Sequence, residues 1–295
     1  MFLKFKKQLF LMFISSLVLA EVEQFPLDGY NYSPLRDRGF AQYLTKSIYG
    51  SNKIALTFDD GPDAVKTPRL LDILKQYNVQ ATFFILTEKI NSTTLPIVER
   101  MINEGHLVAS HHHMHTNSNQ ANLETYKMNL KKSIDKIEQI EADMGVFQNE
   151  MYYRFPYGAY GQNTHYHHLN VMKEISQQIY GDNCINFAFW DIDTVDWLAG
   201  MTASDVKDNI LAQLFGGTAY RHKEVMNQGV RSFTKEAYQV TKPVGGGVVL
   251  MHDIHQRSVD ATELFLQQAQ QLNIEIVPLS AIDEFSYGNK LCRTL

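Results

Sequence analysis

From residue 54 onward the chain alternates short runs of β-branched and aromatic residues with longer stretches of helical periodicity. Nothing else in the sequence restricts the fold as tightly. The runs at 54–58, 81–86, 107–110, 152–155, 187–190, 247–251 and 274–278 predict strands. The stretches at 68–77, 95–104, 123–144, 169–179, 203–214 and 259–272 predict helices. Strand and helix in turn make βαβ units with parallel strands, so the predicted class is α/β. With no Pro- or Ser-rich linker, internal repeat or low-complexity tract, the units fit a (β/α) barrel or an open parallel sheet in a single domain. Pro68 suits a first helical position, and Gly105 and Gly145 suit left-handed caps. Residues 215–244 are polar, hold Gly216, Gly217 and Gly229, and predict an inserted loop or lid with one short helix.

The N-terminus bears on where the chain works. Lys4, Lys6 and Lys7 precede an apolar run at 9–19, well short of the ~20 residues that span a bilayer. Val18-Leu19-Ala20 then offers a cleavage site before Glu21, so residues 1–20 read as a secretory signal rather than an uncleaved anchor. The expected location is exported, periplasmic or extracellular, with no stable membrane insertion after cleavage. Residues 21–52 form a polar lead-in and 53–295 the main domain. Losing residues 1–20 removes three lysines and no acid, leaving 24 basic against 32 acidic residues, a net −8. That balance excludes the basic stripe that nucleic acid requires. Cys184 and Cys292 are too few for a disulfide scaffold; in an oxidising compartment they either pair or stay separate buried thiols.

Chemistry concentrates at the predicted strand ends. Thr57-Phe58-Asp59-Asp60-Gly61-Pro62 closes the first strand with two adjacent carboxylates, which divide into metal ligand and general base if their surroundings differ. Taken alone, Asp-Asp-Gly is an ordinary turn. Five of the eleven histidines fall at His106, His111, His112, His113 and His115. On one helical turn His111 and His115 face the same side, and with Asp60 they make a two-nitrogen, one-carboxylate set suited to catalytic Zn²⁺. His165, His167 and His168 read as a surface loop. Three further stretches are Arg154-Phe155-Pro156-Tyr157-Gly158, Asp193-Thr194-Val195-Asp196-Trp197 and Leu250-Met251-His252-Asp253. An Arg beside an Asp holds it ionised, a Trp walls an apolar pocket, and a buried His with an acid partner serves as a general acid.

In this order the five stretches resemble the polysaccharide deacetylase (NodB homology) domain, carbohydrate esterase family 4, over roughly residues 53–280. The family pattern T-F-D-D-G-P, H-[ST]-x-x-H, R-x-P-[YF], D-x-x-D-W and L-x-H departs at one position. The resemblance implies a distorted (β/α)7 barrel that hydrolyses the N-acetyl group of N-acetylglucosamine units with a divalent metal, Zn²⁺ first. It implies that Asp59 is the general base and that Asp60, His111 and His115 hold the metal. Arg154 would orient Asp59, the Tyr157 backbone N–H would stabilise the oxyanion beside Pro156, and His252, charged by Asp196, would be the acid. Trp197 and Leu250 would cup the acetyl methyl group.

The departure is His112, where the family carries a Ser or Thr whose hydroxyl braces the ligand loop. Thr116 also replaces a frequent Pro. For an exported chain the expected partner is a glycan, peptidoglycan first and chitin or chito-oligosaccharide second. The rival expectations are a glycan-binding relative without catalysis, which needs no base, ligands and acid together, and a His-rich metal-buffering protein, which leaves the Arg154 and Asp196 stretches unexplained.

Overall fold

Strand β1 (Lys53–Asp59) is buried from Ile54 onward, as a central strand covered on both faces must be. It pairs in parallel with β2 (Thr82–Ile85) on one side and with β9 (Gly247–His252) on the other, and its first two residues pair with β10 (Glu275–Ile276). The sheet continues through β3 (Leu107–Ser110), β4 (Met151–Tyr153) and β5 (Ile185–Phe187), with β6 (Ile192–Asp193) beyond β9, in the order β5-β4-β3-β2-β1-β9-β6. The computed structural model describes residues 45–148, 151–159, 167–182 and 184–285. The predicted signal at 1–20, most of the lead-in, His165 and Cys292 lie outside those residues. No described helix is long and apolar enough to cross a membrane.

Helices α1 (Lys66–Gln76), α2 (Leu95–Asn103), α3 (Leu123–Met144), α4 (His167–Tyr180), α5 (Ala203–Phe215) and α6 (Gln256–Gln271) alternate with these strands. The result is the parallel, curled half-barrel of an α/β fold, in one domain. Helix α3 shows why local sequence sufficed for some elements. The Asn122 side chain accepts from Thr125 N at its start, and Gly145 at φ 67° closes its end. Gly105 also takes a left-handed φ, 80°. Helix α1 begins at Lys66, so Pro68 is its third residue rather than its first; a missing N–H is tolerated anywhere in that first turn.

The two sheet faces divide the work. Phe58, Phe83 and Val108 point to the helices, while Ala55, Ala109 and Ala188 line the other face, where Leu279, Ile282 and Phe285 pack beside Tyr152. Ile48 joins this second layer, and its segment is tied down by Asp191, which accepts from Thr45 N and Tyr49 Oη, both at 3.0 Å. Thr57 and Asp59 lie further along β1 on the same face as Ala55. Cys184 is buried and disulfide-bonded.

The predicted lid at 215–244 is neither a loop nor a short helix. It forms an antiparallel hairpin of β7 (Gly217–Asn227) and β8 (Val230–Val240), joined through Gln228 and Gly229 at φ 49° and 81°. Two positive φ values in a two-residue loop match the twist of paired strands. Strand β5 also ends earlier than the predicted 187–190. The carbonyls of Ala188 and Phe189 turn instead to the guanidinium of Arg154.

Candidate active site

Adjacent residues in a strand point to opposite faces, so Asp59 and Asp60 share a cleft only because the strand stops between them. Asp60 takes φ 74°, and its carbonyl accepts from Lys89 Nζ at 2.7 Å. The turn then needs a residue without a Cβ. At Gly61 that atom would lie 2.2 Å from Asp253 Oδ2.

Arg154 anchors the first carboxylate. Fully buried, it donates through Nη1 to Asp59 Oδ1 and Thr57 Oγ1, both at 2.7 Å, through Nε to the Ala188 carbonyl at 2.7 Å and through Nη2 to the Phe189 carbonyl at 3.0 Å. Its guanidinium also lies 4.1 Å from the centre of the Phe84 ring. Burial pushes the Asp59 carboxyl above the usual carboxylate range, opposed by the charges of Arg154 and His252. Oδ1 is committed to Arg154, so Oδ2 is the oxygen toward His111, 3.8 Å from its Nε2.

Asp60, His111 and His115 converge on a common point. Asp60 Oδ1 lies 3.4 Å from Nε2 of each histidine, and this buried oxygen has no hydrogen-bond partner among the described residues. Ligands held at ~2.0–2.1 Å around a tetrahedral ion sit roughly 3.4 Å apart, so the donor spacing fits a divalent cation. His111 Nδ1 bonds to the Arg154 carbonyl at 2.9 Å, which makes Nδ1 the protonated nitrogen and leaves Nε2 a lone pair. Burial drops the His111 pKa to about 3, so the ring stays neutral.

The expectation of a shared helical turn fails. His111 extends the β3 ladder by donating to the Ile85 carbonyl, and His112 at φ 78° breaks any helix before His115. The convergence comes from that kink. His112 is packed into that kink, and its neutral ring can donate one hydrogen bond there. Its buried ring stacks on Tyr126 at 5.1 Å, with Nδ1 3.3 Å from the Met114 carbonyl and Nε2 3.2 Å from the Tyr126 carbonyl. Its own N–H donates to Ser110 Oγ at 3.1 Å.

Across the cleft, His252 ends β9 level with Asp59. Asp196 accepts from its backbone N–H and from Nδ1, both at 2.7 Å, and also from Ser258 Oγ. Burial disfavours the charged ring. The Asp196 charge and hydrogen bond, with Asp59 and Asp60, outweigh it and raise His252 to about 10. The same contacts hold Asp196 below the usual carboxylate range despite burial.

A cleft of about 450 Å³ joins these groups. Asp59, Asp60, His111, His115, Tyr157, Trp197, Leu250 and His252 line it, whereas Arg154 and Asp196 lie behind the wall. Pro156 is buried and outside the lining. Tyr157 stands at the mouth, its ring 4.3 Å from that of His115. Sequence reasoning missed Trp190, His255 and Phe233, which also line the cleft. Trp190 sits at the end of a predicted strand and was legible there, but Phe233 comes from the hairpin and carried no local signal.

Residues 46–176 match the family profile described as polysaccharide deacetylase. A peptidoglycan-N-acetylglucosamine deacetylase of Bacillus cereus is 35% identical over 179 residues, 60% of this chain and 57% of that protein. The peptidoglycan-N-acetylglucosamine deacetylase PgdA of Listeria monocytogenes is 31% identical over 242 residues, 82% of this chain and 40% of that protein. The chain thus spans about half the length of these relatives. Among solved structures, a peptidoglycan N-acetylglucosamine deacetylase in complex with a naphthalenyl N-hydroxybenzamide superposes with a TM-score of 0.59 at 28% identity, covering 82% of this chain and 92% of that one.

Proposed function

This chain belongs to the polysaccharide deacetylase family, and from that membership we propose that it is an exported, Zn²⁺-dependent enzyme removing N-acetyl groups from N-acetylglucosamine units of peptidoglycan. One observation carries the proposal. A carboxylate fixed by Arg154, the Asp60–His111–His115 donor set and a histidine charged by Asp196 face a single cleft. Amide hydrolysis needs a base, an electrophile and an acid together.

Asp60, His111 and His115 would hold a divalent cation, which would supply Lewis acidity toward the acetyl carbonyl and lower the pKa of water. Asp59 Oδ2 accepts the proton of the attacking water, while Arg154 keeps Oδ1 engaged and the carboxylate in place. His252 holds its proton at Nε2, since Nδ1 is bound to Asp196, and gives it to the departing glucosamine nitrogen. Trp197 and Leu250 enclose the acetyl methyl in apolar surface, which favours acetyl over longer acyl groups. The Tyr157 backbone N–H serves the developing oxyanion.

The test is acetate release from purified peptidoglycan and, separately, from chito-oligosaccharide, with Zn²⁺ or with a chelator. Chelator-sensitive release from peptidoglycan is the expected result; release only from chito-oligosaccharide overturns the substrate, and none from either in metal-loaded protein overturns the activity. Export is tested by following the full chain expressed with its own N-terminus. Trimming after Ala20 with appearance outside the cytoplasm is expected, and an untrimmed cytoplasmic chain overturns it.

His112→Ala gives a further check. It removes the ring between the Met114 and Tyr126 carbonyls, and the expected loss is ~10–100-fold in metal affinity, read by competition with a chromogenic chelator. Unaltered affinity would show that the ligand loop needs no brace there.

A further inference from the structure

The β7–β8 hairpin is built into the cleft wall rather than hung over it. Asn209 on α5 clasps it at the root. Its Oδ1 accepts from Tyr220 N at 2.6 Å, and its Nδ2 donates to the carbonyls of Tyr220 and Thr194, both at 2.9 Å. One side chain thus ties the hairpin to the loop that carries Asp196 and Trp197. Lys235 adds a second tie, donating to Asp205 Oδ2 at 2.8 Å while lying over the Tyr220 ring.

Strand alternation and register decide what this arm shows the cleft. His222 and Glu224 share a face with Lys235 and Phe233 opposite them, whereas Arg221, Lys223 and Glu236 form an ion-paired outer face. On the inner face Phe233 packs edge-on against Trp197 at 6.1 Å and His222 at 5.5 Å, and His222 lies 5.3 Å from Trp197. Phe233 remains 38% exposed and lines the same cleft as Asp60 and His252. Arg231 sits 5.1 Å from its ring centre. An apolar aromatic surface rimmed by hydrogen-bonding groups matches a pyranose ring, which presents C–H groups on its faces and hydroxyls at its edges.

We propose that the β7–β8 hairpin is a glycan-binding arm, in which Phe233, seated with His222 on Trp197, holds the sugar unit next to the one that is deacetylated. The arm rests on the glycan chemistry proposed above. Phe233 touches a neighbouring unit and not the scissile amide, so it is a positioning residue that acts only on substrates long enough to reach it.

Both tryptophans of the chain, Trp190 and Trp197, line the cleft, so intrinsic fluorescence reports its occupancy. The experiment titrates Asp59→Asn protein with N-acetylglucosamine itself and with its tetramer, with and without Phe233→Ala. Phe233→Ala is expected to weaken tetramer binding ~10-fold, leave monomer binding within about twofold, and be rescued by Phe233→Tyr. Equal weakening for monomer and tetramer, undiminished tetramer affinity, or no fluorescence response to either sugar overturns the arm. The activity is judged separately. Phe233-dependent tetramer binding without acetate release by the unmutated protein overturns the deacetylase reading and leaves the arm standing; release without Phe233 dependence does the reverse.

Discussion

Asp59→Asn is expected to lower acetate release by ~10²–10⁴-fold or more while leaving bound metal in place, because the carboxylate it removes is the proposed proton acceptor and lies outside the Asp60–His111–His115 donor set. Asparagine keeps an oxygen for Arg154 Nη1, so the variant is expected to stay folded. Asp59→Ala is equally inactive but also strands a fully buried guanidinium. Breaking such a buried pair costs about 3–5 kcal/mol, so its urea unfolding midpoint drops well below that of Asp59→Asn. Metal content by elemental analysis, rate and unfolding together make the test. Loss of metal from Asp59→Asn would exchange the roles of the two adjacent aspartates.

The second large effect lies across the cleft. His252→Ala costs ~10²–10⁴-fold in rate with metal retained, and near-normal turnover would remove the acid assignment. Its pH dependence follows from the contact with Asp196. In the proposed mechanism the active form is the protonated ring, and a pKa raised to about 10 keeps it protonated through neutrality, so activity is expected to fall only as pH rises toward that value. Asp196→Asn takes away the partner charge and moves the alkaline limb down toward the ordinary histidine value of 6.5. An alkaline limb unmoved by Asp196→Asn would mean that another group sets it. Ser258 bonds the same carboxylate, so fold is checked in parallel by circular dichroism.

How much of this was legible depended on the range of the interaction that decided each element. The strand predicted at 107–110 and the helix predicted at 123–144 match β3 and α3 to the residue, since an apolar pattern and residue-specific caps fixed them locally. The hairpin was not legible. Both its faces are largely polar beyond Ala219 and Val240 at the root, and its strands are registered by cross-strand pairs such as Arg221–Glu236 that appear only once the strands are side by side. Gln228-Gly229 was the one local signal, a two-residue turn between two long runs.

The sequence by itself determined the α/β class, the order of most strands of the parallel sheet along the chain and the identity of the motif residues that line the cleft, because periodicity and motif chemistry are properties of consecutive residues. Tertiary structure alone decided their state. The positive φ of Asp60 and of His112 turns neighbouring side chains to one point, the burial of Arg154 draws Ala188 and Phe189 out of their strand, and Asp196 reaches His252 across 56 residues of chain to keep it charged. A charge's environment is set by what packs around it, and here those neighbours come from strands far apart in sequence.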